Sequence, residues 1–249
     1  MIRKDKNGLG WYEFEKFIGY PLKHGIFTRH GGVSQGHLTS LNMGGTVGDE
    51  PSNPRKNQDL MLTSLDLPTD RVFDVWQVHS ADYVVAKEPR PINTEHMKAD
   101  IIISNQKNVT LVMRFADCIP LMVYDTVQKA VGIAHAGWIG TAKNVAGALI
   151  QAMVNEFNAD PVNIIAGIGP SICQEHYPVG DDVVEAFSSQ FPDQMDELFV
   201  KIGTKFHLDL WRANYLQLWN EGVRNIEVSQ ICTACHTEDW YSHRKEHGK

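Results

Sequence analysis

The chain has 249 residues, 43% of them apolar and 21% charged, with a formal net charge of −7. That length can bury a sizeable core, and with no internal repeat or low-complexity linker a single domain over residues 1–249 is expected. Net negative charge without a Lys/Arg run argues against a nucleic-acid partner, and no stretch approaches the roughly 20 apolar residues of a membrane span.

The charged opening, residues 1–7, lacks the apolar core of a signal peptide, so a cytoplasmic location is expected; the protein is separately expected to be a monomer. Four cysteines are too few for a disulfide scaffold at this length, and a reducing compartment keeps them as thiols.

Residues 1–30 read as strands and turns, with a short strand over 25–29. Residues 30–49 are rich in Gly, Ser, Asn and Thr without apolar periodicity. They read as a long loop, and such loops inside a compact domain are usually functional. Apolar runs at 72–85, 101–104, 110–115, 121–124, 131–135 and 164–168 read as buried strands. Ala142, Val145, Leu149, Ala152, Met153 and Phe157 recur at spacings of three and four, which predicts a helix over 141–157, closed off by Asp160-Pro161. A second helix is predicted over 179–187. A third starts at Asp209, a good N-cap, with Trp211, Tyr215, Leu218 and Trp219 facing inward. A late strand is expected over 225–231. Strands that come partly in hairpin succession and partly alternating with helices favour an α+β fold, with mixed β-sheets layered and flanked by helices, over a doubly wound one.

His79, Cys118 and His135 each sit at or just past the end of an apolar run. Three N/S ligands from separate segments leave a fourth position open, the pattern of a catalytic rather than a structural zinc site. Each residue also has a plainer role: a lone histidine at a strand end is commonly a hydrogen-bonded structural group, and a free cysteine a small buried hydrophobe. Asp117, beside Cys118, suits a general acid or a group that orients a ligand, and equally a turn carboxylate capping backbone amides.

The turn Ala134-His135-Ala136-Gly137-Trp138 opens a helix whose first N–H groups could take an anion; a tight strand–helix turn without ligand accounts for it as well. Gly167-Ile168-Gly169-Pro170 fails the dinucleotide spacing and reads as a pocket wall. Cys232-Thr233-Ala234-Cys235-His236 matches a haem-attachment pattern, but no export signal accompanies it. It also carries zinc-deaminase elements in reversed order without the proline. The default is a structural pair of thiols outside the metal site and without haem.

Seven blocks follow one another along the chain: Phe27-Thr28-Arg29-His30-Gly31-Gly32-Val33-Ser34, Ser40-Leu41-Asn42, Val78-His79-Ser80-Ala81-Asp82, Ala116-Asp117-Cys118-Ile119-Pro120, Ala134-His135-Ala136-Gly137-Trp138, Gly167-Ile168-Gly169-Pro170-Ser171-Ile172 and Tyr241-Ser242-His243-Arg244. In content and order they resemble the YfiH/YlmD laccase-domain family, to which the vertebrate FAMIN protein is related, and its YlmD-like branch most. The resemblance implies an α/β/β/α layering and a metal held by His79, Cys118 and His135, which the ligand pattern reads as zinc. It also implies phosphorolysis of adenosine, inosine, guanosine and methylthioadenosine, with deamination of adenosine, so the partners are a small nucleoside and phosphate.

Copper enters through the family's older name, multicopper polyphenol oxidase, and is disfavoured: eleven histidines scattered singly do not make a multicopper cluster. The alternative is a metal-independent cysteine hydrolase or amidase acting on a peptidoglycan precursor, with Cys118 as nucleophile and His135 as base. Ile139 stands where many members carry an arginine, so phosphate binding is expected to fall to Arg29, Lys143 or Arg244. Arg29 and Asn42, on the early loop, are also candidates for ribose or phosphate.

Overall fold

The computed structural model describes residues 1–92 and 94–246. At its centre is a six-stranded mixed sheet, in spatial order Asn225–Val228, Ile164–Ile168, Ile119–Asp125, Val131–Ala136, Ile101–Ser104 and Tyr83–Val85. The four middle strands pair antiparallel, and each edge strand joins its neighbour in parallel.

Successive strand residues point to opposite faces, and here both faces are apolar. Ile101, Ile103, Leu121, Val123, Ile164 and Ile168 meet Leu149, Ile150 and Met153 of the helix Val145–Phe157 and Leu218 of the helix Leu210–Asn220, which forms the main core. Ile102, Tyr124 and Ile165 point the other way.

Two smaller sheets cover that second face. The antiparallel strands Ile2–Lys6, Leu9–Glu13 and Ile26–Phe27 bring Phe14 and Phe17 against Tyr124 and Ile165, and Trp240 from the C-terminal segment joins the same cluster. The parallel pair Val72–Phe73 and Thr110–Leu111 covers Ile102, and Leu62 of the helix Asn53–Ser64 packs beyond it on Val72 and Val112. The layers therefore run helix, sheet, sheet, helix, as the α+β expectation requires.

Several element boundaries differ from expectation for local reasons. The run 72–85 is not one strand: apart from a single bridge between Trp76 and Lys98, pairing stops at Phe73 and resumes at Tyr83. Between them His79 adopts a left-handed backbone, with φ 59°, which a ladder cannot pass through. Of 110–115 only Thr110–Leu111 pairs. The helix expected over 141–157 is two, Trp138–Ala142 and Val145–Phe157, divided at Asn144 with φ 62°.

The second helix is Asp181–Ser188, because Pro178–Val179 joins a small sheet instead. The third helix is capped by Asp209, whose side chain accepts from the Arg212 amide. Trp219, however, is 41% exposed: it stacks on Tyr215 and lies under the Arg224 guanidinium rather than in the core. The helix Asn53–Ser64 was not expected. Its buried face includes Asn57 and Gln58, which hide the apolar period.

The glycines near 167–169 are packing seats rather than a pocket wall. A Cβ on Gly167 would overlap the Phe14 ring, and one on Gly169 would overlap Ile26 and Pro120. Phe14 is fully buried and cannot withdraw. Gly167→Ala is therefore expected to destabilise the fold by about 1–3 kcal/mol, the usual cost of overpacking. Urea unfolding measures it, and a midpoint unchanged from wild type would contradict this packing.

Candidate metal centre

The buried carboxylate of Asp100, at the head of the strand Ile101–Ser104, organises the site. Its residue is 0% exposed. One oxygen, Oδ1, meets Nδ1 of His135 at 2.8 Å. The other, Oδ2, accepts from the backbone amides of Val78 at 3.0 Å and Ser80 at 2.6 Å. A single side chain thus orients one histidine and clamps the turn that carries the other. With Nδ1–H donated to Asp100, His135 keeps Nε2 free to act as a ligand. The clamp also holds His79 in its left-handed conformation, which costs about 1–3 kcal/mol when unsupported.

Ligand atoms of His79, Cys118 and His135 lie within 4.8 Å of one another. The two imidazoles meet edge to face with centroids 4.8 Å apart. His135 is buried, whereas His79 and Cys118 reach solvent. Gly137 provides clearance: a Cβ there would stand 2.8 Å from the Cys118 sulfur and 3.1 Å from Cδ2 of His79. That role, seen in the structure, accounts for the glycine in the strand–helix turn.

The electrostatics follow from the geometry. Burial works against ionising Asp100, but hydrogen bonds from His135, Ser80 and Val78 outweigh it and hold the carboxyl at about 2. Burial likewise opposes the Cys118 thiolate, yet the two neighbouring imidazoles draw the thiol down to about 7. Burial opposes a charged His135, and Asp100 and Cys118 raise it nonetheless to about 9. Two imidazoles and an ionisable thiol, with one imidazole oriented by a carboxylate, are a donor set suited to zinc.

The other candidates are arranged around this centre in different ways. Asp117, itself left-handed at φ 80° and 7% exposed, accepts from the Thr233 hydroxyl at 2.6 Å and the Arg244 amide at 2.7 Å. Its carboxylate ties the Cys118 turn to the C-terminal segment. Arg29 donates to the carbonyls of Thr39, His37 and Thr237 and to Glu246, and stacks on Tyr241. Asn42 is buried and bound to Asp49 and Gly44. Both brace the long loop, which is ordered around Asn57 and Asp49.

Lys143 is exposed, at the end of the short helix that follows His135. The Arg244 guanidinium donates to the Pro178 carbonyl and lies 4.9 Å from the Tyr177 ring. Arg244 also lines a cavity of about 240 Å³ with His176, Ala234 and Lys245.

Two contributors escaped the sequence reading. Asp100 stands between Ala99 and three isoleucines; a carboxylate leading an apolar strand is the signal that could have found it. Tyr177 carries no motif. Burial, and then the neighbouring Cys118 sulfur, push its hydroxyl above the usual phenol range. Cys232 and Cys235 group with Cys173 and His176, separately from His79, Cys118 and His135.

Residues 23–249 match the family model described as multi-copper polyphenol oxidoreductase laccase. Purine nucleoside phosphorylase YlmD of Bacillus subtilis is 36% identical, over 90% of this chain and 84% of that protein. A purine nucleoside phosphorylase of Bacteroides thetaiotaomicron is 32% identical, over 98% of this chain and 93% of its own length. The crystal structure of YlmD from Geobacillus stearothermophilus superposes with a TM-score of 0.90 at 32% identity, covering 98% of this chain and 93% of that one. The hypothetical protein YfiH of Bacillus licheniformis superposes at 0.91 with 29% identity, covering 99% and 95%. By sequence and by fold alike, the chain belongs to the YfiH/YlmD laccase-domain family.

Proposed function

We propose that this chain is a zinc-dependent purine nucleoside phosphorylase that also deaminates adenosine, working as a monomer on small nucleosides. The observation that carries the reading is the convergence of His79, Cys118 and His135 under the Asp100 clamp. The relatives named purine nucleoside phosphorylase support the substrate class. Zinc held by the three side chains supplies Lewis acidity at the position they leave open. Among the described residues, the metal-capable groups hold three histidines in all, His79, His135 and His176, which supports zinc over a multicopper cluster.

Phosphorolysis forms a bond from a phosphate oxygen to the ribose C1′ as the C1′–N9 bond breaks. The electron pair leaves on the purine, which takes up a proton, and ribose 1-phosphate results. Arg244 and Lys245, which line the cavity beside His176, supply cations for phosphate, with Lys143 exposed beyond His135. This offsets the absence of an arginine at Ile139. Asp117 positions Cys118 and Arg244 through its two hydrogen bonds. Deamination adds water at the purine C6 and expels ammonia. Adenosine, inosine, guanosine and methylthioadenosine are the proposed substrates.

A second reading draws support from the Cys118–His135–Asp100 sequence of contacts and the lowered Cys118 thiol. That arrangement suits a metal-free cysteine hydrolase or amidase acting on a peptidoglycan precursor.

Incubation of pure protein with adenosine, with and without phosphate, followed by mass spectrometry of the products, is the direct test. Adenine and ribose 1-phosphate are expected only with phosphate, and inosine in either case. Metal chelation should silence both activities reversibly, and Cys118→Ala and His79→Ala should each lose metal and activity together. Activity that survives chelation but not thiol alkylation would instead favour the hydrolase.

Asp100→Asn keeps the shape but weakens the hydrogen bond to His135. Metal affinity or activity is expected to fall by about 10–100-fold, the usual effect of removing a partner that orients a ligand. Zinc titration of the folded variant measures it, and unchanged affinity and turnover would remove Asp100 from this role.

A further inference from the structure

Outside that centre, one cluster has the composition and shape of a closed metal site. Cys173 and His176, with two residues between them, follow the turn after the strand Ile164–Ile168, and Cys232 and Cys235, likewise with two residues between them, lie near the C-terminus. Two close pairs from distant segments are the arrangement of structural zinc sites. One ligand atom from each lies within 4.8 Å of all the others.

The distances are informative. Three sulfurs surround a single nitrogen, Nδ1 of His176: Cys173 at 3.3 Å, Cys235 at 3.4 Å and Cys232 at 3.9 Å. An imidazole nitrogen carries one hydrogen or one in-plane lone pair, so hydrogen bonding accounts for at most one of these approaches. A tetrahedral zinc with bonds of about 2.3 Å to sulfur and about 2.0–2.1 Å to nitrogen sets its S···N edges near ~3.6 Å, and the three distances straddle that value. The Cys173 amide also points at the Cys232 sulfur, 3.3 Å away, as amides do around metal-bound thiolates.

We propose that Cys173, His176, Cys232 and Cys235 form a second, structural zinc site that pins the C-terminal segment to the central sheet. Four protein ligands leave no open position, so this metal has no substrate to activate. On binding, each thiol gives its proton to solvent and the sulfur takes a coordinate bond. The brace reaches the first centre through Thr233, next to Cys232, whose hydroxyl holds Asp117 beside Cys118. A bridge between Ser171 and Cys232 runs alongside it.

Metal counting on the full chain, purified under reducing conditions and saturated with zinc, tests the site. Two zinc ions per chain are expected in the wild type, one in Cys235→Ser and one in His79→Ala. Cys235 is exposed, so its replacement should leave the fold intact, and circular dichroism checks this. With cobalt(II) in place of zinc, thiolate charge-transfer absorption should fall sharply in Cys235→Ser and persist in His79→Ala. A single zinc lost in Cys235→Ser but kept in His79→Ala would support this site and defeat the catalytic zinc reading. A zinc content unaffected by Cys235→Ser, or a disulfide within the cluster under the same reducing conditions, would overturn the proposal, and both are read without any assay of activity.

Discussion

The centre depends on a charge placed where water cannot reach it. Removing a carboxylate from water costs several kcal/mol unless hydrogen bonds replace its solvation. Asp100 recovers that cost from three donors: the His135 ring and the amides on either side of His79. Satisfying the carboxylate and aligning the two histidines are therefore the same event. A turn that placed His79 elsewhere would leave the charge partly unpaired, so misaligned conformers are penalised without any metal.

The sheet supplies what Asp100 requires. His135 and Asp100 lie on neighbouring antiparallel strands, and the His135 amide itself donates to the Asp100 carbonyl. Cys118 leads the strand on the other side, where Ile119 pairs with Ala136. The turn after the strand Val131–Ala136 leads into the short helix Trp138–Ala142, which Asn214 and Gln217 of the helix Leu210–Asn220 hold through Thr141. Every ligand-bearing segment is thus joined to the central sheet or to a helix packed on it.

The buried strands were legible because their apolar runs are continuous, and 164–168 coincides with the observed strand. The run at 72–85 was equally apolar, yet its middle serves the site instead of a ladder, and no side-chain pattern announces a left-handed His79. Trp219 shows the converse: a correct helical spacing does not guarantee burial where a neighbouring guanidinium can cover the ring. The His79, Cys118 and His135 set was visible because its members flank recognisable runs. Asp100 and Tyr177 were not, because their importance lies in contacts across distant segments. Cys173 and His176 were hidden for the same reason: neither pair of the second cluster is distinctive until the fold sets them side by side.

The Asp117 contacts span 116 residues to Thr233 and 127 to Arg244. During synthesis the Cys118 turn leaves the ribosome long before the segment that secures it. The sheet and its helices can therefore assemble while this turn still lacks two of its supports. A chain interrupted before about residue 233 keeps His79, Cys118, His135 and Asp100 but not the contacts that brace the Cys118 turn.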